Sequence, residues 1–225
     1  MISGSTRLVA LLGHPVAHSL SPRMQNAAFA ARGLDLAYVA LDVSPERLAG
    51  AVAGLNALGF VGANVTAPHK RAAAALCETE LESVNTLLFR DGRCQGASTD
   101  AAILNGLAAE RPVIVGAGGA AAAFAAALPG ARSFSRSGQW PPDVTDADLV
   151  INATPVREEV LVHVGPGQTL VDLPYPDSDT AAAAREAGAT VLDGLDVLVA
   201  QGAASFELWT EVPAPVEVMR AAARA

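Results

Sequence analysis

Apolar and polar positions alternate along this chain in two distinct rhythms. Short runs rich in Val, Leu and Ala read as strands: "RLVALLG" (7–13), "AYVALDV" (37–43), and "GANVT" from residue 62, which leads on to Lys70. Between them lie longer stretches at helical spacing. "SPRMQNAAFAARG" (21–33) and "SPERLAGAVAGLNALG" (44–59) both open on Ser-Pro and stop at Gly. Ser21 reads as an N-cap with Pro22 at the first helical position, and Ser44 repeats the pattern. In "NTLLFRDGRCQG" (85–96), Asp91-Gly92 separates two apolar arms and predicts a hairpin. "ASTDAAILNGLAAE" enters a helix near Asp100. Then "PVIV" (112–115) predicts a short buried strand, "AAAAFAAAL" a helix packed through small side chains, and "ARSFS" a further strand. Strands in alternation with helices predict an α/β fold with parallel pairing and helical crossovers.

A length of 225 residues makes one large domain or two small ones, with enough chain to bury a good core. The formal net charge of −8 removes the basic face that nucleic-acid binding needs. No apolar run approaches the roughly 18 residues of a bilayer span, and the first residues lack a signal-peptide pattern. Cys77 and Cys94 form no C-x-x-C pair and are too few for a disulfide scaffold, so buried free thiols are expected. His14 and His18 stand four apart, but Pro15 lies between them, which argues against a helical metal pair; no metal is expected. These features together predict a soluble cytoplasmic α/β protein without nucleic-acid or membrane partners, and leave monomer and homodimer both open.

One segment carries specific chemistry. In "RPVIVGAGGAAAAFAAALPGARSFSRS", Gly116, Gly118 and Gly119 sit between a strand and a helix, followed by a second strand. Glycines let the backbone approach a pyrophosphate, and the helix N-terminus offers unpaired N–H groups. The same residues could form a tightly packed Ala/Gly turn. An NAD site places an acid at the end of the second strand for the ribose 2′-hydroxyl. Here that position reads Ser133-Phe134-Ser135-Arg136-Ser137. Arg136, flanked by hydroxyls, suits a 2′-phosphate, so NADP is the expected cofactor.

Lys70 is the only lysine; the other fourteen basic residues are arginines. Arginine stays protonated in proteins, whereas lysine can exchange its proton once its pKa is shifted. Lys70 is therefore a candidate acid/base, with chance placement the alternative.

The chain resembles the shikimate dehydrogenase family over nearly its whole length. "GHPVAHSLSPRMQNAAF", "GANVTAPHK", "SVNTLLF", "GASTD", "GAGGAAAA", "SRS", "INATP" and "GLDVLVAQGAASFELW" follow in the family's order. The resemblance implies a substrate domain (1–100 plus 200–225) and a Rossmann-type NADP domain (101–199) with a parallel sheet. The implied reaction is NADPH-dependent, reversible reduction of 3-dehydroshikimate to shikimate. Ser19 and Ser21 would bind the substrate carboxylate. Asn64, Thr66, Asn85 and Gln201 would bind ring hydroxyls, with Tyr175 on the substrate side. Asn64 and Asn85 equally suit turns, and Tyr175 a packed core position. Lys70 would be the acid/base at the alcohol oxygen, supported by Asp100. His69 would tune that lysine or line the pocket. Gly116, Gly118, Gly119, Ala120, Ser135, Arg136, Ser137, Asn152, Ala153, Thr154 and Gly194 would contact the cofactor. Closure of the two domains on their ligands is expected.

The chain departs from the family at four places. Ser98 replaces an Asn before Thr99-Asp100, and Gln25 replaces a His. Val156-Arg157-Glu158 replaces a Gly-Met turn. After "SRS" the chain is short, with only "GQWPPDVT" before "DADLVINATP". A parallel crossover generally needs a dozen or more residues. A minimal loop around 138–146 and a smaller adenosine pocket are therefore expected, which bears on NADP affinity. A dehydrogenase, of shikimate or of quinate, and a non-catalytic metabolite-binding relative both remain open. An intact Lys70 and Asp100 favour the enzyme.

Overall fold

The computed structural model describes residues 2–175 and 177–225. The chain divides into two compact units, one running up to Thr99 and resuming at Val199–Ala225, the other spanning Asp100–Leu198. No helix among the described residues is long and apolar enough to cross a membrane.

The first unit holds β1 (Arg7–Gly13), α1 (Ser21–Ala31), β2 (Leu36–Asp42), α2 (Leu48–Ala57), β3 (Gly62–Val65), α3 (Lys70–Ala74) and the strands β4 (Thr86–Arg90) and β5 (Arg93–Ala97). Its sheet runs β2-β1-β3-β4-β5. The first three strands are parallel, and β4 and β5 join antiparallel. Asp91 and Gly92, with φ of 52° and 74°, form the hairpin turn; both central residues of such a turn need positive φ, which Asp-Gly supplies. Gly33 and Gly59, also at positive φ, end α1 and α2 as the sequence predicts. The core on one face of this sheet gathers Ala10, Leu12, Val52, Leu55, Val65 and Leu87.

The second unit holds β6 (Pro112–Val115), α4 (Gly119–Ala127), β7 (Arg132–Phe134), β8 (Leu149–Asn152), β9 (Thr169–Asp172), α5 (Asp179–Glu186) and β10 (Thr190–Leu192). Its strands are parallel in the order β7-β6-β8-β9-β10. A doubly wound dinucleotide fold orders its strands 3-2-1-4-5-6. With β6 as the first strand, this sheet corresponds to 2-1-4-5-6 and lacks the third strand. The chain passes from β7 to β8 with no helix, as the shortened sequence there predicts, and β8 connects to β9 without one as well. Ile114, Ile151, Val171 and Phe124 pack one face of the sheet.

The long helix α6 (Gly194–Thr210) leaves the second unit and enters the first, where α7 (Val216–Arg224) follows it and packs on α1. Phe206 stacks on Phe29 with ring centroids 5.5 Å apart, and Trp209 Nε1 donates to the Leu87 carbonyl at 3.0 Å.

Three local expectations need correction. Ser21 is the first residue of α1 rather than its cap. Leu20 holds the cap position, and the Ser19 hydroxyl accepts from the Ser21 N–H at 3.2 Å. The strand after Gly62 stops at Val65, so Lys70 opens a short helix instead of closing a strand. After Asp100 only a single 3₁₀ turn forms, at Ala102–Leu104. Asn105 turns extended and Gly106 takes φ +87°, which ends the helical path.

Candidate functional site

In the first unit a network of amides and hydroxyls forms where β3, β4 and α6 meet. Asn64 lies inside β3, which excludes the turn reading. Its Nδ2 donates to the Asn85 carbonyl (3.1 Å), Thr86 Oγ1 (3.2 Å) and Ser205 Oγ (3.0 Å). Its Oδ1 accepts from the Tyr38 hydroxyl at 2.8 Å. Burial pushes the Tyr38 phenol well above its ordinary range, so it stays a donor. Asn85, 3 % exposed, donates through Nδ2 to Thr99 Oγ1 (3.0 Å) and Gln201 Oε1 (3.3 Å) and accepts from the Thr99 N–H at 2.8 Å. Ser205 completes the network, donating to the Gln201 carbonyl at 3.0 Å while lying 2.9 Å from Thr86 Oγ1 and 3.1 Å from Thr99 Oγ1.

Of the sequence candidates, Asn64, Asn85 and Gln201 are therefore brought together. Thr86, Thr99, Ser205 and Tyr38 belong to the same network and were not singled out from sequence. The available signal is the polarity of Tyr38, Thr86 and Ser205 within strands and a helix otherwise apolar, while Thr99 lies just beyond β5.

Lys70 is half-buried at the start of α3. Its carbonyl accepts from the Val84 N–H at 3.1 Å, which ties the lysine backbone to the residue preceding Asn85. Thr66 is half-buried one residue beyond β3, and its methyl packs over Gly13, where a side chain would collide with it. Ser19 and Ser21 stand at the start of α1, half-buried and buried. His69 is 1 % exposed, and its Nε2 lies 2.6 Å from the Val43 carbonyl. A carbonyl only accepts, so Nε2 carries a proton and the ring braces α3 against the end of β2. Among the described residues no group of His, Cys, Asp or Glu is placed to hold a metal.

In the second unit a cavity of about 320 Å³ opens at the carboxyl ends of β6, β7 and β8. Gly116, Ala117, Ser135, Arg136, Ser137 and Thr154 line it, together with Trp140, Val156 and Leu161. Gly116 takes φ +133°, and a Cβ there would lie 3.0 Å from the Ala153 carbonyl, so only glycine fits. A Cβ on Gly118 would meet open space, which leaves room for a ligand over the turn. Gly119 and Ala120 open α4, presenting its first N–H groups.

The cavity floor rests on a buried clasp. Asn152 is fully buried, and its Nδ2 donates to Asp172 Oδ1 at 2.7 Å. Its Oδ1 accepts from the Thr154 N–H (3.2 Å) and hydroxyl (2.8 Å). The Asn152 side chain is thus spent in positioning Thr154 and does not itself face the cavity. Ser178 donates to Asp172 Oδ2 at 2.7 Å. Burial raises the Asp172 carboxyl despite these two bonds, its largest influence being loss of solvent. Gly194 opens α6 against the chain after β9, where any side chain would collide with the Pro174 and Leu173 carbonyls. Tyr175 is half-buried, and burial raises its phenol. Asp100, the first residue of this unit, is 6 % exposed.

Residues 11–87 match the model of the shikimate dehydrogenase substrate binding domain, and residues 194–224 that of the shikimate 5′-dehydrogenase C-terminal domain. The chain is 41% identical to the shikimate dehydrogenase (NADP(+)) of Anaeromyxobacter sp. (strain Fw109-5), over 99% of this chain and 97% of the relative. That alignment runs over 271 positions, more than this chain's 225 residues, so the relative carries segments this chain lacks. A shikimate dehydrogenase solved in complex with NADP+ is similar at a TM-score of 0.90 and 31% identity, covering 100% of this chain and 96% of that one. The shikimate 5-dehydrogenase of Thermus thermophilus, solved with NADP(H) and shikimate, matches at a TM-score of 0.85 and 32% identity, covering 97% of this chain and 98% of that one. With a relative 41% identical over 99% of this chain and solved shikimate dehydrogenases similar along nearly all of it, the protein belongs to the shikimate dehydrogenase family.

Proposed function

We propose that the protein reduces 3-dehydroshikimate to shikimate reversibly with NADPH, its first unit binding substrate and its second unit binding cofactor. The observation that carries this reading is the polar network of Asn64, Asn85 and Gln201, with the backbone of the sole lysine tied beside it. A ring bearing several hydroxyls needs such amides and hydroxyls, held in place before it arrives. Asn64, Thr66, Asn85 and Gln201 bind those hydroxyls, and Ser19 and Ser21 receive the carboxylate. Tyr175 is a further substrate-side residue.

The cavity fits the cofactor's adenosine end. It offers a glycine turn whose one side chain is the Ala117 methyl, the N-terminus of α4, and an arginine with two hydroxyls beside it. Gly116, Gly118, Gly119 and Ala120 hold the pyrophosphate, and Ser135, Arg136 and Ser137 hold the ribose 2′-phosphate. Thr154 forms part of the remaining wall, with Asn152 acting through it, and Ala153 and Gly194 contact the cofactor outside this cavity. When bound, NADP(H) supplies the hydride acceptor or donor.

The protein's own part in the chemistry is proton transfer. Lys70 takes the hydroxyl proton when shikimate is oxidised and returns it in the reverse direction. Asp100 keeps the amine oriented and favours its charged form. The acidic chain with two free thiols suits a reducing cytoplasm.

NADPH absorbance measured with shikimate and NADP tests this reading, with quinate as a second substrate arm. The reading requires turnover of shikimate. Binding of both ligands without turnover would favour a metabolite-binding relative and defeat it.

A further inference from the structure

Glu159 is an acid paired with Arg136, which lines the cavity, and sequence spacing does not reveal it. The stretch at the end of β7 contains no carboxylate. Instead, the helix-free connection after β8 delivers Glu159 to the same place, 23 residues beyond Arg136 in sequence. Its Oε2 lies 2.5 Å from Arg136 Nη2, and both side chains are about half exposed. The Arg136 guanidinium also stands 5.5 Å from the Trp140 ring centroid. The guanidinium that borders the cavity therefore already has an anion on one edge.

The position of Glu159 does not depend on Arg136. Thr180, fully buried in α5, donates its hydroxyl to the Glu159 carbonyl at 3.2 Å and accepts from the Leu161 N–H at 3.0 Å. The backbone at Glu159 is thus pinned by the second unit's own core. Removing the carboxylate should leave that backbone where it is.

We propose that Glu159 is a specificity-determining residue for the cofactor, narrowing the preference for NADP over NAD. This rests on the reading that the cavity takes the adenosine end of the dinucleotide. A 2′-phosphate needs the Arg136 N–H groups that Glu159 holds, and it brings negative charge beside a carboxylate. NADP must displace Glu159 or bind against it. NAD has a 2′-hydroxyl, which donates to a carboxylate, as it does to the acid of ordinary NAD sites. Glu159 thus opposes one cofactor and supports the other through a single contact. With the third strand and its flanking helix missing, the connection after β8 reaches the ribose pocket instead.

Titration calorimetry of wild type, Glu159→Gln, Arg136→Ala and the double variant with NADP and NAD tests this. Adenosine 2′,5′-bisphosphate and AMP serve as smaller probes of the same difference. Glu159→Gln should raise the ratio of NADP to NAD affinity about fivefold, about 1 kcal/mol at 1.4 kcal/mol per decade. That size suits the loss of one exposed ion pair. NADP should tighten while NAD weakens, and the gain for NADP should shrink in the Arg136→Ala background, where only relief of the carboxylate–phosphate repulsion remains. A merely structural Glu159 would weaken both cofactors together. An unchanged or lowered ratio in a wild type that binds the dinucleotides overturns the role of Glu159 alone. A wild type that binds neither dinucleotide nor the bisphosphate overturns both this role and the cofactor assignment on which it rests.

Discussion

Replacing Asp172 by Ala should cost the second unit both stability and cofactor affinity. Asp172 is 1 % exposed at the end of β9, and it accepts from Asn152 Nδ2 and Ser178 Oγ, both at 2.7 Å. Those donors are 0 % and 2 % exposed, so water cannot replace the lost acceptor. Orphaning one buried donor costs about 1–3 kcal/mol. Two give about 2–6 kcal/mol, offset in part because an ionised carboxylate no longer has to be buried. We expect a net loss of about 2–4 kcal/mol in urea unfolding followed by circular dichroism. Asp172→Asn keeps an acceptor oxygen in place and should lose about 1 kcal/mol. Because burial raises the Asp172 carboxyl in the folded protein, its contribution is full below the unfolded value of about 3.9 and falls as pH rises through the higher folded value. The deficit of Asp172→Ala should therefore be largest near about pH 4 and shrink toward neutrality. Asn152 also positions Thr154 at the cavity wall, so NADP affinity should drop about tenfold, or about 1.4 kcal/mol. A variant within about 0.5 kcal/mol of wild type, binding NADP equally well, would refute the clasp as the support of that wall.

Gly194→Ala should lower the melting temperature. Its methyl meets two backbone carbonyls that cannot swing aside, an overpacking cost of about 1–3 kcal/mol; unchanged calorimetric unfolding would contradict this. Ser205→Ala removes the hydroxyl shared by Asn64, Thr86 and Thr99. It should raise the KM for shikimate about tenfold, equivalent to about 1.4 kcal/mol, with NADP affinity unchanged. Equal loss for both ligands would show general damage instead.

Much of this architecture is legible in the sequence because local chemistry and fold agree. Pro22, the Gly stops and Asp91-Gly92 each impose a backbone geometry on their own, and those features form where expected, whereas Ser44-Pro45 opens a 3₁₀ turn and α2 begins only at Leu48. Boundaries fail where a competing local signal wins. Asn105-Gly106 ends a predicted helix after one turn, and the strand entering Lys70 gives way at Val65 to a turn and a helix. The missing third strand is legible as a shortage of residues after Ser137. Long-range pairing is not legible. Nothing in "REEV" announces that Glu159 reaches Arg136, because that contact depends on where the β8–β9 connection lands. Ser205 and Thr86 likewise look like ordinary polar residues within regular elements until the fold sets them 2.9 Å apart. Asn152 carries the opposite lesson: a motif residue expected at the cofactor has its side chain committed to Asp172 and Thr154.

Lys70→Arg offers the most direct test of the central claim, that the sole lysine moves the proton in shikimate oxidation. The substitution keeps the cation but removes a proton exchangeable near neutral pH, and it presents a planar fork to a single oxygen. Turnover of shikimate with NADP should fall by about 10²–10⁴, the usual worth of a positioned acid/base. Shikimate affinity, measured separately by titration, should change by less than about tenfold, or about 1.4 kcal/mol. A wild type that oxidises shikimate, with Lys70→Arg nearly as fast, would contradict the account.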